Sequence, residues 1–118
     1  MKKIFYLTTC TTCKRILHEL KPGTDVVMQD VKTEQVSEKQ LDELSKLAGS
    51  YEALFSKIAM KYRMWGLDKK QLTEHDFKKY MLEEYTFIKR PVVVSGNKIF
   101  IGSSKKMIEG AKDALLNF

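Results

Sequence analysis

The chain has 118 residues, enough for one domain with a single core and too few for two ordinary ones. Hydrophobic residues at 43% and charged residues at 31% give the balance of a water-soluble globular protein; no apolar run approaches membrane-spanning length, and Met1-Lys2-Lys3-Ile4-Phe5-Tyr6-Leu7 lacks a long apolar stretch and a small-residue cleavage site, so a cytoplasmic protein is expected. The formal charge of +6 bears on encounter rates and solubility, and with the lysines scattered along helix faces it does not mark direct nucleic-acid binding.

Ile4 to Leu7 is a short apolar run with aromatic and β-branched members, the pattern of a buried first strand. A helix is expected from about Thr11 to Leu20, with Ile16, Leu17 and Leu20 as its apolar stripe and Lys21-Pro22-Gly23 as its stop. Asp25 to Val31 reads as a second strand, so the chain opens with a βαβ unit whose two strands run parallel.

Both cysteines fall at the first strand-to-helix junction, in Tyr6-Leu7-Thr8-Thr9-Cys10-Thr11-Thr12-Cys13-Lys14-Arg15. That position sets Cys10 beside the free N–H groups of the first helical turn, where the helix dipole favours an anion and therefore the thiolate, the nucleophilic form. Cys13, three residues on, shares the helix face at a separation compatible with a disulfide. In a reducing compartment such a pair points to transient redox chemistry. Two incidental core cysteines are the bland alternative. Zinc would need four ligands, and only His18 and His75 remain, at no paired spacing; no metal site is expected.

From about residue 32 to 87 the pattern is helical. Ser37-Glu38-Lys39-Gln40 is a capping box ahead of Leu41, Leu44 and Leu47, with Gly49 as the stop. Tyr51, Leu54, Phe55, Ile58, Ala59 and Tyr62 then follow the spacing of one helical face. Met64, Trp65, Gly66 and Leu67 read as a turn with an apolar plug, and Thr73 caps a third helix that turns Phe77, Tyr80 and Met81 inward. His75, in a first turn, reads as an exposed polar residue.

Arg90-Pro91-Val92-Val93-Val94, Ser95-Gly96-Asn97-Lys98 and Ile99-Phe100-Ile101 form a β-hairpin signal. Ser103 or Ser104 caps a final helix whose apolar face is Met107, Ile108, Ala111, Ala114, Leu115 and Phe118. The expected fold is α/β, in the order βα-β-ααα-ββα, with a mixed four-stranded sheet. One domain spans 1–118, its sheet and redox motif coming from 1–31 and 88–118.

A Cys-x-x-Cys after the first strand of a βαβ unit, with a proline-led hairpin and a terminal helix, resembles the thioredoxin fold. With Cys10-Thr11-Thr12-Cys13-Lys14, the stretch Phe87-Ile88-Lys89-Arg90-Pro91-Val92-Val93-Val94 resembles the arsenate reductase (ArsC) and Spx family over essentially the whole chain. The resemblance implies a cis Arg90–Pro91 bond facing the cysteine loop, and an Arg90 that holds an anion near the nucleophile. Catalytic roles are therefore expected for Cys10, Cys13 and Arg90, and substrate contacts for Thr11, Thr12, Lys14 and Pro91.

Glutathione-dependent arsenate reductases use three arginines around the oxyanion. Here Ser56-Lys57-Ile58 stands where one of the other two would be, and Lys98 and Ile101 stand in the hairpin in place of the third. Lysine lacks the planar fork of arginine, so the anion cage is incomplete. The expected activity is reduction of a disulfide, with arsenate as the secondary substrate. The expected reductant is glutathione, glutaredoxin or thioredoxin, with no bound cofactor and no membrane or direct nucleic-acid partner. The alternative is a redox-sensing regulator of the Spx kind that binds an RNA polymerase subunit, for which Gly49 and the Cys-x-x-Cys are the matching features. Spx regulators carry an arginine where Ile58 stands.

Overall fold

The computed structural model describes residues 2–116. Four strands, β1 (Lys2–Tyr6), β2 (Val26–Asp30), β3 (Val92–Ser95) and β4 (Lys98–Ile101), form one mixed sheet in the order β2-β1-β3-β4. Among the described residues five α-helices accompany them: α1 (Thr11–Leu20), α2 (Glu38–Ala48), α3 (Met60–Met64), α4 (Glu74–Glu83) and α5 (Lys105–Leu116). β1 pairs parallel with β2, Lys2 opposite Val26 through Tyr6 opposite Asp30, and antiparallel with β3. This is the expected thioredoxin-like topology, the strand bounds differing from the sequence reading by one or two residues. No helix among the described residues is long and apolar enough to cross a membrane.

The chain divides into two compact units, one holding the sheet with α1 and α5, the other running from Val36 to Lys89. In the sheet unit, Ile4, Val26 and Val93 from the strands meet Ile16 and Leu20 of α1 and Ile108, Ala111 and Leu115 of α5 in one buried cluster. Lys21 ends α1 in a left-handed conformation, φ 48°, as Pro22 follows. Gly96 takes φ 60° in the two-residue turn that sets Ser95 opposite Lys98. Gly110 marks a close approach within α5, since a Cβ there would lie 2.7 Å from the Phe100 ring. Of the expected face of α5, Met107 is exposed and Phe118 lies outside the described residues.

The second unit starts as the sequence indicates. Ser37 and Gln40 close a capping box on α2, and Gly49, φ 96°, ends it. Ser45 rather than Leu47 completes the buried face. The next helix departs from expectation. Tyr51 to Tyr62 is not one helix but a 3-10 turn at Glu52–Leu54, an extended Phe55, a turn, and then the short α3.

Backbone pairing with a distant segment overrides the helical period. Ser56 N–H donates to the Phe87 carbonyl at 2.6 Å, Lys89 N–H donates to the Leu54 carbonyl at 2.8 Å, and Phe55 bridges Ile88. The gain is burial of Leu54, Phe55, Phe87 and Ile88, with the Phe55 and Phe87 rings stacked at 5.0 Å and Phe77 at 4.9 Å from Phe55. Ile58, assigned to the core face by periodicity, is 96% exposed. In the following turn Leu67 is the buried plug, whereas Met64 and Trp65 are exposed. α4 begins as expected, with Thr73 and Asp76 in a reciprocal capping box and Phe77 and Met81 buried.

Candidate functional site

The loop that carries the cysteines starts where β1 gives out. Leu7 is buried, and its carbonyl accepts the Cys10 N–H at 3.1 Å, closing a turn over Thr8 and Thr9. Cys10 occupies the N-cap of α1 in an extended conformation, φ −89° and ψ 116°, and its own carbonyl accepts the Lys14 N–H at 3.1 Å. An N-cap side chain faces the free N–H groups of the first turn. No acidic residue lies in that turn to compete for them.

The two thiols are driven apart in acidity. For Cys10, burial opposes ionisation most strongly, yet it is outweighed by hydrogen bonds from the Cys13 backbone and the Cys13 side chain, by the Arg90 guanidinium, and by the Thr12 backbone; its pKa falls below that of an ordinary thiol. Cys13 is fully buried, and burial, followed by the charge on Cys10 and the proton it shares with that sulfur, raises it to about 11. Hydrogen bonding with the Leu7 backbone and the charge of Arg90 act the other way. The arrangement is a half-buried Cys10 sulfur, eased toward the thiolate, that accepts from a buried Cys13 thiol held protonated.

Arg90 precedes a cis peptide bond to Pro91, which is buried at the entry to β3 and whose carbonyl accepts the Gly102 N–H at 2.9 Å. Its guanidinium lies close enough to act on both sulfurs. Thr11, Thr12, Lys14 and Arg15 are all exposed on the first turns of α1. Of these, Thr12 reaches Cys10, through its backbone N–H. Among the residues standing where further anion-binding arginines were sought, Lys57 is paired with Glu52 at 2.6 Å, Ser56 is buried, and Lys98 is exposed at the start of β4. His18 and His75 are both exposed.

One contributor escaped the sequence reading. Asp30, at the end of β2, accepts from the Thr8 hydroxyl and, at 3.0 Å, from the Lys32 backbone N–H, so its carboxylate braces the loop two residues before the nucleophile. The Thr8 hydrogen bond is the main reason that its carboxyl is held below the usual range. The signal was present in the parallel register, which sets Asp30 beside Tyr6, where the cysteine loop begins.

Several solved structures share this architecture. The chain resembles an arsenate reductase from Vibrio cholerae with a TM-score of 0.77 at 19% identity, covering 96% of each chain. It resembles the YffB protein with a TM-score of 0.77 at 21% identity, over 94% of this chain and 98% of that one. An arsenate reductase (ArsC) related protein from Brucella melitensis follows, with a TM-score of 0.72 at 23% identity over 92% of each. At these identities the likeness speaks for the fold. No curated protein matches the sequence. The family model described as "ArsC family" matches residues 5–111, nearly the full length, and the chain therefore belongs to the ArsC family.

Proposed function

We propose that this protein is a thiol-dependent oxidoreductase in which Cys10 attacks a disulfide and Cys13 resolves the adduct. The observation that carries the reading is the split in acidity between two neighbouring sulfurs, the accessible one lowered and the buried one raised to about 11. In the first step the Cys10 thiolate forms a bond to one substrate sulfur while the substrate S–S bond breaks. The second substrate sulfur leaves as a thiolate and takes a proton from solvent.

Adduct formation removes the charge on Cys10, and with it two of the influences that hold Cys13 protonated. Cys13 then loses its proton and attacks the Cys10 sulfur, forming the internal disulfide and expelling the first substrate sulfur. Two electrons pass from the cysteine pair to the substrate. Glutathione, a glutaredoxin or a thioredoxin restores them. Arg90 stabilises anionic sulfur across from the helix terminus, while the exposed Thr11, Thr12 and Lys14 shape the surface that the substrate meets; Pro91, expected to share in it, lies buried at the entry to β3.

Arsenate is the secondary substrate of the same site. Its oxyanion would find Arg90 but not a three-arginine cage, because Lys57 is already matched by Glu52. The mechanism is tested by paired variants. Cys10→Ser abolishes reduction of a glutathione mixed disulfide, and Cys13→Ser accumulates a covalent adduct on Cys10 visible by intact mass. Undiminished reduction by Cys10→Ser refutes it.

A further inference from the structure

Among the described residues, α3 is unlike the other α-helices in having no buried residue. Its segment nevertheless carries large apolar side chains in water: Ile58 just before it, Met60 at 77% and Met64 at 71% exposure within it, and Trp65 at its end. Met60 and Met64 are four apart and lie side by side on one helix face. Single exposed apolar residues need no explanation, but four within eight positions form a patch of the kind that marks a contact surface. Methionine suits such a surface, because its unbranched, polarisable side chain adapts to the shape it meets.

The charge around the patch says what kind of partner it fits. From residue 57 to 70 the chain has five cations, Lys57, Lys61, Arg63, Lys69 and Lys70, against the single carboxylate of Asp68. Lys57 and Lys61 are matched by Glu52 at 2.6 Å and Glu84 at 2.5 Å. Arg63, Lys69 and Lys70 are exposed and form no ion pair among the described residues. Beside them Glu52, Lys57, Lys70, Tyr62 and Phe77 are among the residues that line an open pocket of about 320 Å³. With Lys57 held by Glu52, Lys70 is the cation that this pocket offers to an entering carboxylate.

We propose that the α3 face, Ile58 to Trp65 with Arg63, Lys69 and Lys70 at its rim, docks a partner protein through an amphipathic segment that is apolar on one side and acidic on the other. A second copy of the chain is disfavoured as occupant, since joining two such faces would bring like charges together. An anionic membrane matches the charge, but a helix of five residues is short for one that lies in a bilayer interface.

Trp65 is the chain's one tryptophan and sits in the patch, so its fluorescence reads occupancy directly. The full-length protein is titrated with three probes: a helical peptide with leucine on one face and glutamate on the other, the same peptide with lysine replacing glutamate, and vesicles containing phosphatidylserine. The proposal requires a saturable blue shift with the glutamate peptide that weakens as salt is added, and none with the lysine peptide. The double variant Met60→Ser/Met64→Ser, and separately Arg63→Glu, should each weaken binding by about tenfold, roughly the loss of 1.4 kcal/mol. Both leave the thermal melt and reduction of a small disulfide unchanged, which separates this surface from the Cys10 chemistry. No saturable response to the glutamate peptide, an equal response to the lysine peptide, or a response confined to vesicles would overturn it.

Discussion

Around Cys10 the decisive contest is between burial, which favours the neutral thiol, and a set of hydrogen-bond donors and one guanidinium that favour the anion. Arg90→Ala removes the one full positive charge in that set. The apparent pKa of Cys10, followed by the pH dependence of alkylation, should rise, while Arg90→Lys should restore part of the shift because a point charge replaces the fork. Asp30 allows a sharper distinction, because two accounts of it differ in sign. Were the carboxylate acting only through its charge, Asp30→Ala would stabilise the Cys10 thiolate and lower its pKa. Through its hold on Thr8 it instead keeps the loop in the geometry that presents Cys10 to the helix N–H groups, so Asp30→Ala is expected to raise that pKa. Thr8→Val, which alters no charge, should shift it the same way. Cys10 and Cys13 were legible as a pair from their spacing alone. Asp30 was not, because its part depends on a strand register rather than on any local pattern.

Among the elements, those stabilised by their own local chemistry were the ones the sequence disclosed. α1 runs from Thr11 to Leu20 as its apolar stripe and the Lys21-Pro22 stop demand, and α2 and α4 carry the reciprocal caps that Ser37 and Thr73 announce. Replacing either cap residue by alanine should cost about 1 kcal/mol, read as a lower denaturant midpoint at constant slope. The segment from Tyr51 to Tyr62 misled for a physical reason. Its apolar residues satisfy a helical period, but the pairing of Phe55 with Ile88 wins by burying Phe55 and Phe87 against each other, and no local signal reports a partner more than thirty residues away. Phe87→Ala, at a fully buried ring, should therefore destabilise by about 3 to 5 kcal/mol. That loss would exceed the effect of either cap.

For the molecule as a whole, the parallel β1–β2 pair and the hairpin of β3 and β4 follow from two local signals, one βαβ pattern and one Gly-Asn turn, whereas the sheet order rests on the pairing of β1 with β3, which no local pattern reports. The chain's alkaline stability should carry the imprint of Cys13. A thiol whose folded pKa is raised from 9.0 to about 11 is still protonated in the native state when the unfolded chain has already lost that proton. Stability should thus fall as pH rises from about 9 to about 11, by an amount of order 2 kcal/mol, and Cys13→Ala should remove that dependence.

The most direct measurement of the whole scheme is a pH series of alkylation rates for the reduced native protein, with Cys10 and Cys13 resolved by peptide mass. Cys10 should react first at every pH, with a midpoint below that of a free thiol, while Cys13 stays protected well past neutrality. Equal rates at the two sulfurs, or a Cys10 midpoint at or above 9.0, the ordinary thiol value, would contradict it.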